Sequence, residues 1–394
     1  MIDYFHQVDD PYSHLAAQLL SPLSARYGEE IRPWLVPPPD DAAAPERARL
    51  VAYARRDAPR VAAEYGLSFP SNARPPSAAA VGLAQRILAA APKSASFGEV
   101  AAAVGRALWR DDVRALEALA SRAASAHATE AAVAAGAEER ARLGHYLGAM
   151  LHRDGAWYWG VDRLNHLEDA LDAQDSTPGA PRLAPYRDLR LGAPPASTRP
   201  LTIEMWFSFR SPYSWIAFPR VRRLAQHYGA QLVLRPILPM VMRGLPVPPV
   251  KSLYIVRDVF REAARVGLPF GPIVDPVGAG AERALAVLHH AAPLGLGEAF
   301  AESALRAAWS EGVSLASDEG LAKAAVRSGL GEAQVAAALA DESWREMAEA
   351  NRAALFEAGL WGAPTYRVNG GPAHWGQDRL WALEEDLLQA AGDA

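Results

Sequence analysis

The sequence predicts an α/β protein made of two tandem copies of one domain, each with an inserted α-helical subdomain. Two observations predict it: an internal repeat that keeps one register over some sixty residues, and the same order of apolar and helical segments in both halves. Val8-Asp-Asp-Pro-Tyr-Ser-His-Leu-Ala16 returns as Phe209-Arg-Ser-Pro-Tyr-Ser-Trp-Ile-Ala217, an offset of 201. That offset also pairs Tyr27-Gly28 with Tyr228-Gly229, Tyr53 with Tyr254, Arg56-Asp57 with Arg257-Asp258, Gly66-Leu67 with Gly267-Leu268, and Phe69 with Phe270. Further on the offset grows slightly. Gly148-Ala149 then matches Gly362-Ala363, and Trp159-Gly-Val-Asp-Arg-Leu164 matches Trp375-Gly-Gln-Asp-Arg-Leu380.

Each half reads in the same order. A strand (Ile2–Val8; Thr202–Phe209) leads through a proline-containing turn into a helix (Pro11–Tyr27; Pro212–Tyr228), then a second strand (Ile31–Val36; Gln231–Ile237). Strand, helix, strand makes a right-handed parallel unit. A long alanine-rich helical region follows (Ala48–Leu143; Ser252–Glu357), and apolar segments with a last helix close the half (Val161–Ala173; Gln377–Ala391). The expected domains are residues 1–174 and 201–394. Between them lies a proline-rich linker, residues 175–200, extended and without a core of its own.

Composition narrows the function. With 394 residues, two or three domains are expected, each able to bury a core. The net charge of −5 and the scattered basic pairs Arg55-Arg56 and Arg222-Arg223 give no nucleic-acid footprint. No cysteine is present, which removes disulfides, thiolate metal sites and cysteine nucleophiles together. Met1 to Asp10 shows no signal-peptide pattern and no window is apolar enough to span a bilayer, so a cytoplasmic protein is expected. His289-His290 face different sides of a helix and no metal site is expected.

The chemistry-bearing residues gather in the second half. Ser211-Pro212-Tyr213-Ser214 stands where the first strand hands over to the first helix. Serine is a good N-cap and proline suits the first helical position, so a capped helix start accounts for it. The same helix end, with free N–H groups and partial positive charge, also favours an anion. Ala363–Pro364 is a candidate cis peptide or an ordinary turn proline. Asp378 opens the last helix, where it complements the macrodipole or, with Gln377, holds a ligand bearing an ammonium and a carboxylate. Lys251, with Tyr254 and Asp258 on the next turns, begins a helix or supplies positive charge over the site.

Taken together, Phe207 to Trp215, Lys251 to Asp258, Trp309-Ser-Glu-Gly312, Gly362-Ala-Pro-Thr365 and Trp375-Gly-Gln-Asp-Arg379 run in family order, and the second half resembles the 2-hydroxychromene-2-carboxylate isomerase family. That family is related to kappa-class glutathione transferases within the DsbA-like thioredoxin superfamily. The resemblance implies tandem thioredoxin-like folds and glutathione as cofactor. Ser211 would stand where DsbA-like proteins carry their first redox cysteine and would stabilise the glutathione thiolate, with Ser214 at the second cysteine position. Pro364 would be the cis-proline and Ala363 would offer backbone groups to the cysteinyl part. Gln377 and Asp378 would bind the γ-glutamyl end, and Lys251 would lie near glutathione or an acidic substrate. The implied substrate is an aromatic or conjugated acid, to which the thiol adds reversibly.

The first half is similar but departs where the chemistry would lie. Asp10 stands at the Ser211 position, Leu50 at Lys251, Met150 at Pro364 and Val161 at Gln377; Asp162 alone matches. An acidic side chain repels a thiolate, so a degenerate copy is expected. The two halves are expected to pair as an internal pseudo-dimer in a monomeric chain. The competing readings are a kappa-like transferase and a non-catalytic thioredoxin-fold binding protein.

Overall fold

The computed structural model describes residues 1–173, 181–194 and 200–392. The chain divides into two compact units, Met1–Tyr186 with Pro248–Tyr254, and Arg187–Val247 with Ile255–Ala394. The divide falls inside the expected linker, and the short Pro248–Tyr254 segment goes with the first unit although the sequence reading assigned it to the second half.

In the first unit, strands β1 (Ile2–His6), β2 (Ile31–Leu35), β3 (Met150–Arg153) and β4 (Ala156–Trp159) form one sheet in the order β2-β1-β3-β4. β1 and β2 are parallel and the other pairs antiparallel. All five residues of β1 are buried, because the central strand is covered on both faces. Asp154 and Gly155 join β3 to β4 with φ of 50° and 78°, the two positive values that a tight two-residue hairpin requires. Helices Arg47–Glu64, Ala78–Ala89, Phe97–Trp109, Val113–Ala118 and Ala126–Arg142 form the insertion, and Leu164–Asp172 closes the unit. The single helix expected over Pro11–Tyr27 is broken into Pro11–Ala17 and Leu20–Tyr27. Pro22 has no N–H for the Gln18 carbonyl one turn back, which weakens the helix at the break.

Helix Phe97–Trp109 crosses helix Pro11–Ala17 at Gly105, where an added Cβ would lie 2.1 Å from Nδ1 of buried His14. Gly105→Ala is therefore expected to cost about 1–3 kcal/mol by overpacking, seen as a lower urea midpoint for the first unit. An unchanged midpoint would mean that the crossing yields freely.

The second unit repeats the plan. Strands β5 (Thr202–Phe207), β6 (Gln231–Pro236), β7 (Thr365–Val368) and β8 (His374–Trp375) lie in the order β6-β5-β7-β8, with β5 and β6 parallel and the other pairs antiparallel. This thioredoxin-like sheet carries the helix Pro212–Tyr228, unbroken and ended by Gly229 at φ 65°. The helical insertion runs from Pro249–Arg265 through Trp344–Glu357, and a 3₁₀ turn, Gln377–Arg379, leads into the last helix, Leu380–Gly392. Phe207 meets Phe209 and Phe218 edge-on in the core (centroids 5.5 and 5.3 Å), with Phe300 behind Phe209.

The expected linker is partly structured. Residues 175–180 and 195–199 of it lie outside the described residues. Between them, Leu183 and Ala184 donate backbone N–H groups to buried Glu168 of the first unit, which also accepts from Tyr27. Arg190 and Leu191 do the same to Glu384 of the second unit, which accepts from Tyr228. Glu168 and Glu384 are matching positions at offset 216, as Tyr27 and Tyr228 are at 201. Each unit thus captures a short extended strap by the same pair of side chains.

Candidate functional site

Ser211 ends the turn after β5 and caps the helix Pro212–Tyr228. Its φ of −97° and ψ of 110° are non-helical, and its Oγ accepts from the Ser214 amide at 3.1 Å. The same hydroxyl donates to the Ala363 carbonyl at 3.1 Å. Ala363–Pro364 is cis. The helix N-terminus and the cis-proline loop, 152 residues apart, therefore meet at one hydroxyl. Gly362 lets that loop close: a Cβ there would stand 2.6 Å from the Trp375 indole nitrogen. The Thr365 hydroxyl holds the Gly362 carbonyl at 2.8 Å. Arg210, just before Ser211, forms a two-pronged ion pair with Asp275.

The other expected residues take different positions. Ser214 is fully buried beneath the turn, its Oγ 3.4 Å from the Ser208 amide. The Tyr213 hydroxyl donates to buried Asp258 at 2.7 Å, and Arg261 also reaches that carboxylate at 3.2 Å. These two residues brace the helix start against the insertion. Asp378 is largely shielded, with Arg379 3.8 Å away. Gln377, expected at the γ-glutamyl end of a ligand, is turned inward and 1% exposed. Its amide oxygen accepts from Arg220 at 2.7 Å and its nitrogen donates to buried Glu262. Lys251 and Tyr254 belong to the first unit. There the Lys251 ammonium donates to the Ala43 carbonyl at 2.9 Å, with burial lowering its pKa to about 8, and Tyr254 packs edge-on against His145 at 4.6 Å.

In the first unit, Asp10 caps the helix Pro11–Ala17, accepting from the Tyr12 and Ser13 amides and the Ser13 hydroxyl. Tyr12 donates to Asp57 at 2.7 Å, the same bond that Tyr213 makes to Asp258. The pairing of Met150 with Pro364 needs correction. Phe5 faces Met150 and Trp206 faces Thr365 in the two sheets, so Met150 matches Thr365. Ala149, at φ 54°, is the residue that stands at the Pro364 position. Burial pushes the Asp10 carboxyl up to about 6, against the hydrogen bonds that lower it. Its charged form is therefore disfavoured by folding; the penalty is absent below pH 3.8, the ordinary value, and complete above about 6. Asp10→Ser keeps a capping oxygen and removes the charge. Denaturation midpoints should show a gain of about 1–3 kcal/mol at pH 8 that disappears below pH 4. A gain equal at both pH values would disprove the charge argument.

Residues 202–388 match the DsbA-like thioredoxin domain. That is 187 positions, nearly all of the second half. Among solved structures, a 2-hydroxychromene-2-carboxylate isomerase shares 23% identity over 49% of this chain and 97% of that protein, at a TM-score of 0.42. A probable DsbA oxidoreductase from Streptomyces coelicolor shares 21% over 49% and 91%, at 0.41. The cytosolic disulfide reductase DsbM from Pseudomonas aeruginosa, in a structure with GSH, shares 20% over 49% and 98%, at 0.37. No curated protein matches the sequence.

Within this DsbA-like half no cysteine is available, so any thiol chemistry must use a thiol brought by a ligand. Among the described residues no group of three or more His, Asp or Glu is placed to hold a metal ion, and no helix is long and apolar enough to cross a membrane. The residues that sequence reasoning missed are Arg220, Glu262 and Asp188. Each is unremarkable along the chain, and only the fold brings Arg220 and Glu262 to Gln377 and Asp188 to Arg220.

Proposed function

We propose that the DsbA-like half binds glutathione at the Ser211 helix end and uses its thiolate to isomerise an aromatic or conjugated acid. The observation that carries this reading is the Ser211 hydroxyl poised between its own helix N-terminus and the carbonyl beside cis-Pro364. A hydroxyl that gives up the Ala363 carbonyl can donate to a thiolate, and the helix end adds partial positive charge. Ala363 offers main-chain groups to the cysteinyl part of the ligand, and Asp378 offers a carboxylate to its ammonium. The motif order shared with 2-hydroxychromene-2-carboxylate isomerases supports the reaction class.

In the reaction the thiolate forms a C–S bond at the conjugated carbon and the displaced electron pair moves onto the acid's conjugated oxygen. The former double bond is then single and rotates. The pair returns, the C–S bond breaks, and the thiolate is regenerated, so glutathione is not consumed.

Calorimetric titration of glutathione into the wild type, with ultraviolet thiolate absorbance followed against pH, tests the reading. Binding with a thiol pKa below its free value is expected. No binding at about 1 mM glutathione overturns it and leaves a non-catalytic thioredoxin-fold protein. Binding accompanied by stable thioether products instead of isomerised acid favours a kappa-like transferase.

A further inference from the structure

The Gln377–Arg379 turn is held from inside by a polar network that the first unit lacks. Arg220, on the helix that Ser211 begins, donates to both the Gln377 side-chain oxygen (2.7 Å) and its main-chain carbonyl (3.3 Å). The Gln377 amide nitrogen donates on to Glu262, which is 0% exposed. Arg220 in turn is gripped by Asp188, on the strap Arg187–Gly192. At the matching positions the first unit has Leu19, Val61 and Val161, all buried in its apolar core.

That comparison separates stability from another purpose. The same fold accommodates three apolar side chains at these positions, and replacing buried charges by well-packed apolar groups is often neutral or stabilising. A network whose stability could be supplied by Leu and Val has a role elsewhere. Its outward end is the turn that carries Asp378. Arg220 fixes both the carbonyl and the side chain of Gln377, so the residue that follows has its backbone direction set.

We infer that Arg220, Gln377 and Glu262, anchored through Asp188, are positioning residues that aim Asp378 at the ammonium of the γ-glutamyl group. This rests on the glutathione reading above and assigns Gln377 an indirect part in it. The strap is thereby part of the site's frame and not only a connection.

The test uses two thiols, glutathione and cysteinylglycine, which lacks the γ-glutamyl group. In the full chain, the triple change Arg220→Leu, Glu262→Val and Gln377→Val installs the first unit's residues. It should weaken glutathione binding about tenfold or more while leaving cysteinylglycine affinity and the bound thiol pKa unchanged. Asp188→Asn, on a side chain 36% exposed, keeps Arg220, Gln377 and Glu262 unchanged and should shift the same ratio about two- to fivefold. Asp378→Asn should abolish the preference, and adding Asp188→Asn to it should change nothing further. A glutathione-to-cysteinylglycine ratio that stays at the wild-type value in both Asp188→Asn and the triple variant overturns this inference alone. A wild type that binds neither thiol overturns the glutathione reading and this inference with it.

Discussion

Ser211→Ala is expected to return the thiol of bound glutathione close to an ordinary thiol pKa of about 8.5 and to remove most of its thiolate absorbance at pH 7. A hydrogen bond to a charged acceptor contributes about 1.5–3 kcal/mol, which is one to two pKa units. The thiolate fraction at neutral pH should then fall about tenfold or more. Alanine also removes the cap on the Ser214 amide, a loss of about 1 kcal/mol, so a fold control is needed. Ser211→Asp supplies it. Aspartate caps helices as well as serine does, and Asp10 shows the same backbone carrying it. This variant should fold normally yet lose glutathione binding, because a carboxylate meets the thiolate. Retention of a lowered thiol pKa in both variants would move the anion site away from Ser211.

The repeat was legible because its conserved offset spans residues that contact one another. Tyr12 with Asp57 and Tyr213 with Asp258 are 45 and 45 residues apart, so both partners fall in the window where the register holds. The cis-proline, the Ser211 cap and the glycines at positive φ also left local marks. Asp154-Gly155 and Asn369-Gly370, with φ positive at all four, are local hairpin signals that the repeat did not call on. What escaped the sequence depends on distant pairs. Gln377 looks like a ligand residue until Glu262, 115 residues away, is seen to take its amide. Lys251 reads as a helix start or a positive charge over the site because helix periodicity says nothing of the compact unit to which that residue belongs. The one-residue slip at Met150 came from matching letters where the sheet register decides.

Acid should unfold the first unit before the second. His6 and His14 are buried there, and burial pushes their pKa values down to about 3 and about 4. The Tyr4 hydroxyl gives its proton to the Ser13 carbonyl (2.6 Å), so the His6 Nδ1, 3.0 Å away, donates to it, and burial keeps the ring neutral at pH 7. A histidine depressed in the folded state contributes stability that is intact above its unfolded value of about 6.5 and is lost as pH falls from there. At pH 5 the loss is about 2 kcal/mol for each. Asp10 opposes it, since its raised carboxyl regains stability as pH falls through about 6, but it offsets only part of the pair. The net loss is a sizeable share of a domain's usual 5–15 kcal/mol, to order of magnitude. The second unit has Phe207 and Trp215 at the two positions, which do not titrate. Its lowered carboxylates Glu204 and Glu311 begin to matter only below pH 4.5. Between pH 7 and 5, urea unfolding read by hydrogen exchange should show peptides from residues 1–173 losing protection at lower denaturant, while those from 200–392 hold. His6→Phe should recover more than half of the net difference, because it installs the side chain that the second unit carries in the same strand position. Equal shifts of both units would place the acid sensitivity outside these two histidines.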